Sequence, residues 1–176
     1  MEHSQSNYGI FPPYFYRYIQ LVENEDLHSF LKIQGDQMNS LFNSISEEKS
    51  HYKYADGKWT IKEVLQHVMD AERVFAYRAL AISRKDPNAL HSFDEKHYAA
   101  NSNANDKSWD NLCKELVALR NSTALFYNGF SDEQLNNIGK VSDYEMSVKA
   151  LGYTIAGHAA HHIHIIKERY LSDYTG

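Results

Sequence analysis

Thr60-Ile61-Lys62-Glu63-Val64-Leu65-Gln66-His67, continuing through Val68-Met69-Asp70-Ala71-Glu72-Arg73-Val74-Phe75, is the stretch on which the fold turns. A threonine followed three residues later by a glutamate has capping-box spacing. The hydroxyl accepts a backbone N–H and the carboxylate reaches back to the cap. A helix is predicted to open at Thr60 and to end near Arg84, with Ile61, Leu65, Val68 and Phe75 on one apolar stripe. Val64, His67, Ala71 and Val74 lie on the inward flank of that stripe, which points the His67 ring toward a core.

Working outward, three further helices of similar length are predicted. Asp26 to Ile45 carries Leu27, Phe30, Leu31, Met38, Leu41, Phe42 and Ile45 at helical spacing, and a shorter helix precedes it at about Tyr14 to Val22. Ser108 to Tyr127 repeats Leu112, Leu116, Leu119, Thr123 and Phe126, with Gly129 as a C-terminal stop. The last helix runs from about Ser147 to Leu171, with Val148, Leu151, Ile155 and Ile165 on one stripe. Its Lys167 and Arg169 stand near the C-terminal end, where the macrodipole favours cations.

Between the second and third helices lies Asn88 to Lys107, polar, without a sustained apolar period, and too long for a tight hairpin. It is read as a crossover along the bundle. Ser131-Asp132-Glu133-Gln134 caps a short helical turn. The three prolines, Pro12, Pro13 and Pro87, leave the long stretches free of helix breakers, and strand-like alternation bounded by turn residues is scarce. The expected architecture is all-α: a four-helix bundle with a long crossover, one domain over residues 1–176 with its core at about 18–171, and frayed ends at Met1 to Gly9 and Ser172 to Gly176.

Composition narrows the partners. A formal charge of -5 offers no basic surface for a phosphate backbone, so nucleic acid is not an expected partner. No run approaches about 18 consecutive apolar residues, and the N-terminus lacks the layout of a signal peptide, so no membrane association and a cytoplasmic location are expected. Cys113 is the single cysteine; a metal would have to be held by nitrogen and oxygen ligands.

Histidine is abundant, with ten in the chain, and four fall together at His158, His161, His162 and His164. His158 and His162, four apart on a helix, place their rings one turn apart on the same face. Spacing alone decides little, because about half an i,i+4 pair arises by chance at this histidine content. Position decides more: stepping from Leu151 through Ile155 reaches His158, His162 and Ile165, which puts both rings on the core-facing stripe.

Two accounts stand beside each other. Each ring is a neutral histidine bonded to a buried acceptor, or the pair joins His67 from the facing helix to bind one ion. Three imidazoles with a fourth position open match the usual catalytic zinc arrangement, and nickel or iron also suits such donors. His161 and His164 fall off the stripe and are read as exposed or outlying groups. In the crossover, which also carries His97, Asp94 or Glu95 is a candidate for a general base, for an acceptor that orients a ligand imidazole, or else a solvated loop charge. Trp59, Tyr77, Tyr98 and Tyr153 are assigned to core packing or pocket wall.

Three stretches resemble the DinB-like superfamily, the YfiT-type metal-dependent hydrolases. They are Tyr54-Ala55-Asp56-Gly57-Lys58-Trp59 running into Thr60 to Arg78, Phe93-Asp94-Glu95 with Ser102-Asn103-Ala104, and Ile155-Ala156-Gly157-His158-Ala159-Ala160-His161-His162 leading to Tyr170. The resemblance extends from about Tyr18 to Leu171. It implies a four-helix bundle, often dimeric, that binds zinc or nickel through histidines matching His67, His158 and His162. Members of that family look like thiol S-transferases using bacillithiol or mycothiol and thiol-dependent isomerases, alongside many without a known activity.

The expectations are therefore ordered. The first is an enzyme in which a divalent metal activates a low-molecular-weight thiol toward an electrophilic small molecule. The second is hydrolysis by metal-bound water with Asp94 or Glu95 as base. The third is a non-catalytic metal-binding stress-response protein whose site is structural or vestigial, for which a metal closed off from solvent by a fourth protein ligand would be the sign.

Overall fold

The computed structural model describes residues 4–172. Four long helices build it: α2 (Leu27–Asn43), α4 (Ile61–Ser83), α6 (Trp109–Asn128) and α8 (Val148–Ile165), joined by the short helices α1 (Tyr16–Ile19), α3 (Glu47–Ser50), α5 (Glu95–Ala100) and α7 (Asp132–Asn136). α2 and α4 each pack on both α6 and α8, which closes the four into a bundle. No helix among the described residues is long and apolar enough to cross a membrane.

The caps explain where the long helices start. Thr60 and Glu63 form the expected capping box, Thr60 N–H donating to Glu63 Oε2 at 2.7 Å and Glu63 N–H to Thr60 Oγ1 at 3.1 Å. The Asp26, Ser108 and Ser147 side chains accept from backbone N–H groups at the starts of α2, α6 and α8.

Several details depart from the sequence reading. The crossover is not structureless: Asp94 caps α5, and a 3-10 turn follows at Ala104–Asp106 after Asn103 in the left-handed region at φ 51°. Two antiparallel hairpins are present, β1 (Ser4–Ser6) with β2 (Gly9–Phe11) and β3 (Ile138–Val141) with β4 (Tyr144–Ser147). Part of the expected frayed N-terminus is therefore paired backbone. Ile10 N–H also donates to Ser147 Oγ at 3.2 Å, tying β2 to the start of α8. Of the expected frayed ends, residues 1–3 and 173–176 lie outside the described residues. The expected helix at Tyr14 to Val22 is a 3-10 turn at Pro13–Phe15 followed by the single turn of α1.

The apolar core divides into two clusters. One gathers Ile19, Leu31, Phe75, Ile82, Leu151 and Ile155; the other gathers Met38, Phe42, Leu65, Met69, Leu112 and Ile166. Between them runs a polar layer. Arg120 donates to both oxygens of Glu72, the closest pair at 2.7 Å, and to Gln34 Oε1; Gln34 Nε2 in turn donates to Ala156 O at 2.9 Å. One buried network thus bonds α6 to α4, α2 and α8, and it meets α8 two residues before His158. Arg120 sits inward among the apolar positions of α6, where a helical stripe alone predicts an apolar residue.

Candidate metal centre

α8 is built to be approached closely. Ala156, Gly157 and Ala159 are fully or almost fully buried, and a Cβ on Gly157 would lie 2.2 Å from Tyr18 O, so only glycine admits the α1 backbone here. That approach lays the Tyr18 ring edge-on to His158, with centroids 5.3 Å apart, and to His161 at 5.5 Å.

On the other side, α4 packs on α8 and brings His67 against the pair. His67 Nε2 and His158 Nε2 are 3.1 Å apart, and one nitrogen from each of His67, His158 and His162 lies within 4.8 Å of the others. A tetrahedron with metal–nitrogen bonds of about 2.0–2.1 Å has an edge of roughly 3.3 Å. The His67–His158 pair has that edge, and the His162 nitrogen, within 4.8 Å of both, stands close enough to join them on one ion after a small shift of its ring.

Protonation agrees with geometry. Burial, with a contribution from His161, pushes His67 down to about 4. Burial and the facing rings of His67 and His161 push His162 down to about 3. His158 lies well below the ordinary histidine value, mainly through burial and then through His162 and His67. All three are neutral near pH 7, with lone pairs available and no proton to expel. The donor set fits a divalent cation.

The rings are held from behind. Trp59 lies against His67 with centroids 4.9 Å apart, and Tyr170 Oη donates to Trp59 O at 2.9 Å. Tyr170 reaches that carbonyl from a π-helical turn, Ile166–Tyr170, which continues α8; such wide turns recur at functional sites.

A cavity of about 150 Å³ opens beside the trio, lined by His67 and His158 together with Tyr18, Phe75, Phe93 and Glu95. An outer groove of about 490 Å³ shares Arg78, Ser92 and Phe93 with it and carries Tyr77 and Tyr98 on its wall. Tyr77 and Tyr98 are thus groove wall, not core; Tyr153 is buried, its Oη donating to Glu25 O.

The two crossover carboxylates part company. Asp94 is exposed and its Oδ1 accepts from Lys96 N–H and His97 N–H, which holds its carboxyl below the usual range. Its role is to cap α5. Glu95, the next residue, faces the cavity. His161 is partly buried against Tyr18 and His162, while His164 and His97 are exposed. Sequence reasoning passed over Tyr18 and Arg78. The signal for Arg78 was present, because it follows His67 by eleven residues, three helical turns along the same face of α4.

Comparison with known proteins agrees with this architecture. The sequence profile of the DinB superfamily matches residues 31–166. A protein of Oceanobacillus iheyensis named "Putative metal-dependent hydrolase OB0413" is 24% identical over 152 residues, covering 83% of this chain and 86% of its own. The solved structure of YfiT from Bacillus subtilis, described as a probable metal-dependent hydrolase with an unusual four-helix bundle topology, superposes with a TM-score of 0.65. It shares 18% identity over 96% of this chain and 92% of its own.

Proposed function

The chain belongs to the DinB superfamily, and on that premise we propose that it is a metal-dependent enzyme transferring a low-molecular-weight thiol to an electrophilic small molecule. The observation that carries this reading is the three-histidine cluster bordering an aromatic-walled cavity that also contains one carboxylate, Glu95. His67, His158 and His162 would hold one divalent ion, with zinc favoured by three neutral nitrogens and nickel or iron as alternatives. When bound, that ion supplies a positive charge that lowers the pKa of a thiol next to it.

This chain's own residues supply the rest. Glu95 accepts the thiol proton as sulfur forms its bond to the electrophilic carbon and the leaving group departs with the electrons of the broken bond. Phe75, Phe93 and Tyr18 exclude water, which would compete for the electrophile. Trp59 fixes the His67 ring.

The test is consumption of a generic thiol with monochlorobimane by the zinc- or nickel-loaded chain. Metal-dependent turnover supports the reading, and its absence with a series of thiols contradicts it. Hydrolysis is the second reading, favoured by the same Glu95 placed to take a proton from water and by the names of the relatives. Turnover of activated esters or amides without thiol would select it.

A further inference from the structure

Arg78 is a buried cation in search of an anion. The residue is 3% exposed, and its Nη2 donates to the His91 carbonyl at 2.7 Å. No carboxylate among the described residues is paired with it. Its guanidinium instead caps one side of an aromatic pair, 5.6 Å from the Phe75 centroid and 5.7 Å from that of Phe93, the two rings being 6.3 Å apart. Burial of this kind costs stability unless the charge is compensated, and the bundle's other buried arginine, Arg120, has Glu72 for that purpose.

The position of Arg78 says what would compensate it. It lines both the inner cavity and the outer groove, together with Ser92, and the Tyr144 phenol lines the inner cavity as well. A guanidinium with hydroxyl donors nearby matches a planar carboxylate, which can accept two parallel N–H bonds. Glu95, the carboxylate on the same wall, is exposed and forms no ion pair with Arg78. The Phe75 ring, 6.2 Å from the His158 ring, spans the distance from Arg78 to the trio. From His67 to Arg78 the helix rises about 16 Å, and the arginine side chain leans back toward the N-terminus, so the gap between the two ends is on the order of 10 Å.

We propose that Arg78 is the recognition residue for a carboxylate on the small molecule that reaches the histidine trio, holding it across the Phe75 ring with its reacting end at His67 and His158. The substrate class is then an organic acid whose carboxylate sits several bonds from the reacting atom. This rests on the reading of the trio as the reacting end, and the experiment separates the two.

Straight-chain carboxylates from acetate to octanoate, and their matched primary amides, are titrated by calorimetry into the zinc-loaded chain, Arg78→Met, Arg78→Lys and His162→Ala. The expected result is a preference for acid over amide of about tenfold or more at one chain length. It is lost in Arg78→Met, reduced in Arg78→Lys because the forked geometry is gone, and kept in His162→Ala. Equal binding of acid and amide, no binding of any acid, or a preference surviving Arg78→Met overturns the proposal. A preference lost in His162→Ala but kept in Arg78→Met places the carboxylate on the trio and overturns it too. Should Arg78→Met fail to fold by circular dichroism, the wild-type preference and its reduction in Arg78→Lys decide. A failed reading of the trio shows separately, as unchanged metal content in His162→Ala.

Discussion

The Tyr18 carbonyl oxygen lies where a Cβ on Gly157 would come within 2.2 Å of it, so the single turn of α1 rests directly on the backbone of α8 next to His158. Gly157→Ala must push the two apart. The expected cost is about 1–3 kcal/mol of stability, typical of overpacking, with a further loss of metal affinity as Tyr18 leaves His158. Chemical denaturation and metal titration check both, and an unchanged variant would show that α1 does not support the site.

Arg120 and Glu72 form a nearly solvent-free pair, with side-chain exposures of 1% and 2%. Arg120→Met strands the Glu72 carboxylate and is expected to destabilise by about 3–5 kcal/mol. Pairing it with Glu72→Met should recover most of that loss, because two apolar side chains leave no buried charge. A double-mutant cycle by urea unfolding measures the difference; additive losses would contradict the assignment.

Cys113 reports on pH. Burial, with Asp110 and Glu47 adding to it, pushes the thiol from 9.0 up to about 11. The folded chain therefore keeps a proton that the unfolded chain gives up, so this group's contribution to stability is complete below about pH 9 and is lost as pH rises toward 11. Labelling by a maleimide at pH 8 should be about a hundredfold slower in the folded than in the denatured chain. Equal rates would mean an accessible thiolate, which would also confound thiol-consumption assays.

Glu95 and Asp94, adjacent in sequence, make opposite predictions. Glu95→Gln removes the cavity's base and should lower turnover of the loaded enzyme about a hundredfold or more. Asp94→Asn keeps an N-cap and should change turnover by less than about twofold. Steady-state kinetics on both variants decides, and the reverse pattern would transfer the role to Asp94.

The four long helices were legible because each combines a start signal with a 3.6-residue apolar stripe: Thr60 with Glu63 for α4, and the Leu151 to Ile165 stripe for α8. The same stripes placed His67, His158 and His162 on core-facing positions. α5 was not legible, since Glu95–Ala100 is a six-residue helix whose only strong signal is the Asp94 cap. The hairpin at Ile138–Ser147 is too short for alternation to stand out, and Ser142 turns it with a positive φ of 51° that sequence favours only weakly. Arg120 and Arg78 escaped because a charged residue at helical spacing reads as solvated. For Arg78 the three-turn step from His67 was the available signal, whereas the burial of Arg120 comes from its Glu72 and Gln34 partners on other helices.

The central claim is that His67, His158 and His162 bind one divalent ion. Its most direct test is metal content per chain, by mass spectrometry, of protein expressed without an affinity tag, for wild type and for His67→Ala, His158→Ala and His162→Ala. The account predicts one equivalent in the wild type after loading and near none in each variant, with helical content retained. The same metal stoichiometry in the variants, or no binding by the wild type, would contradict it.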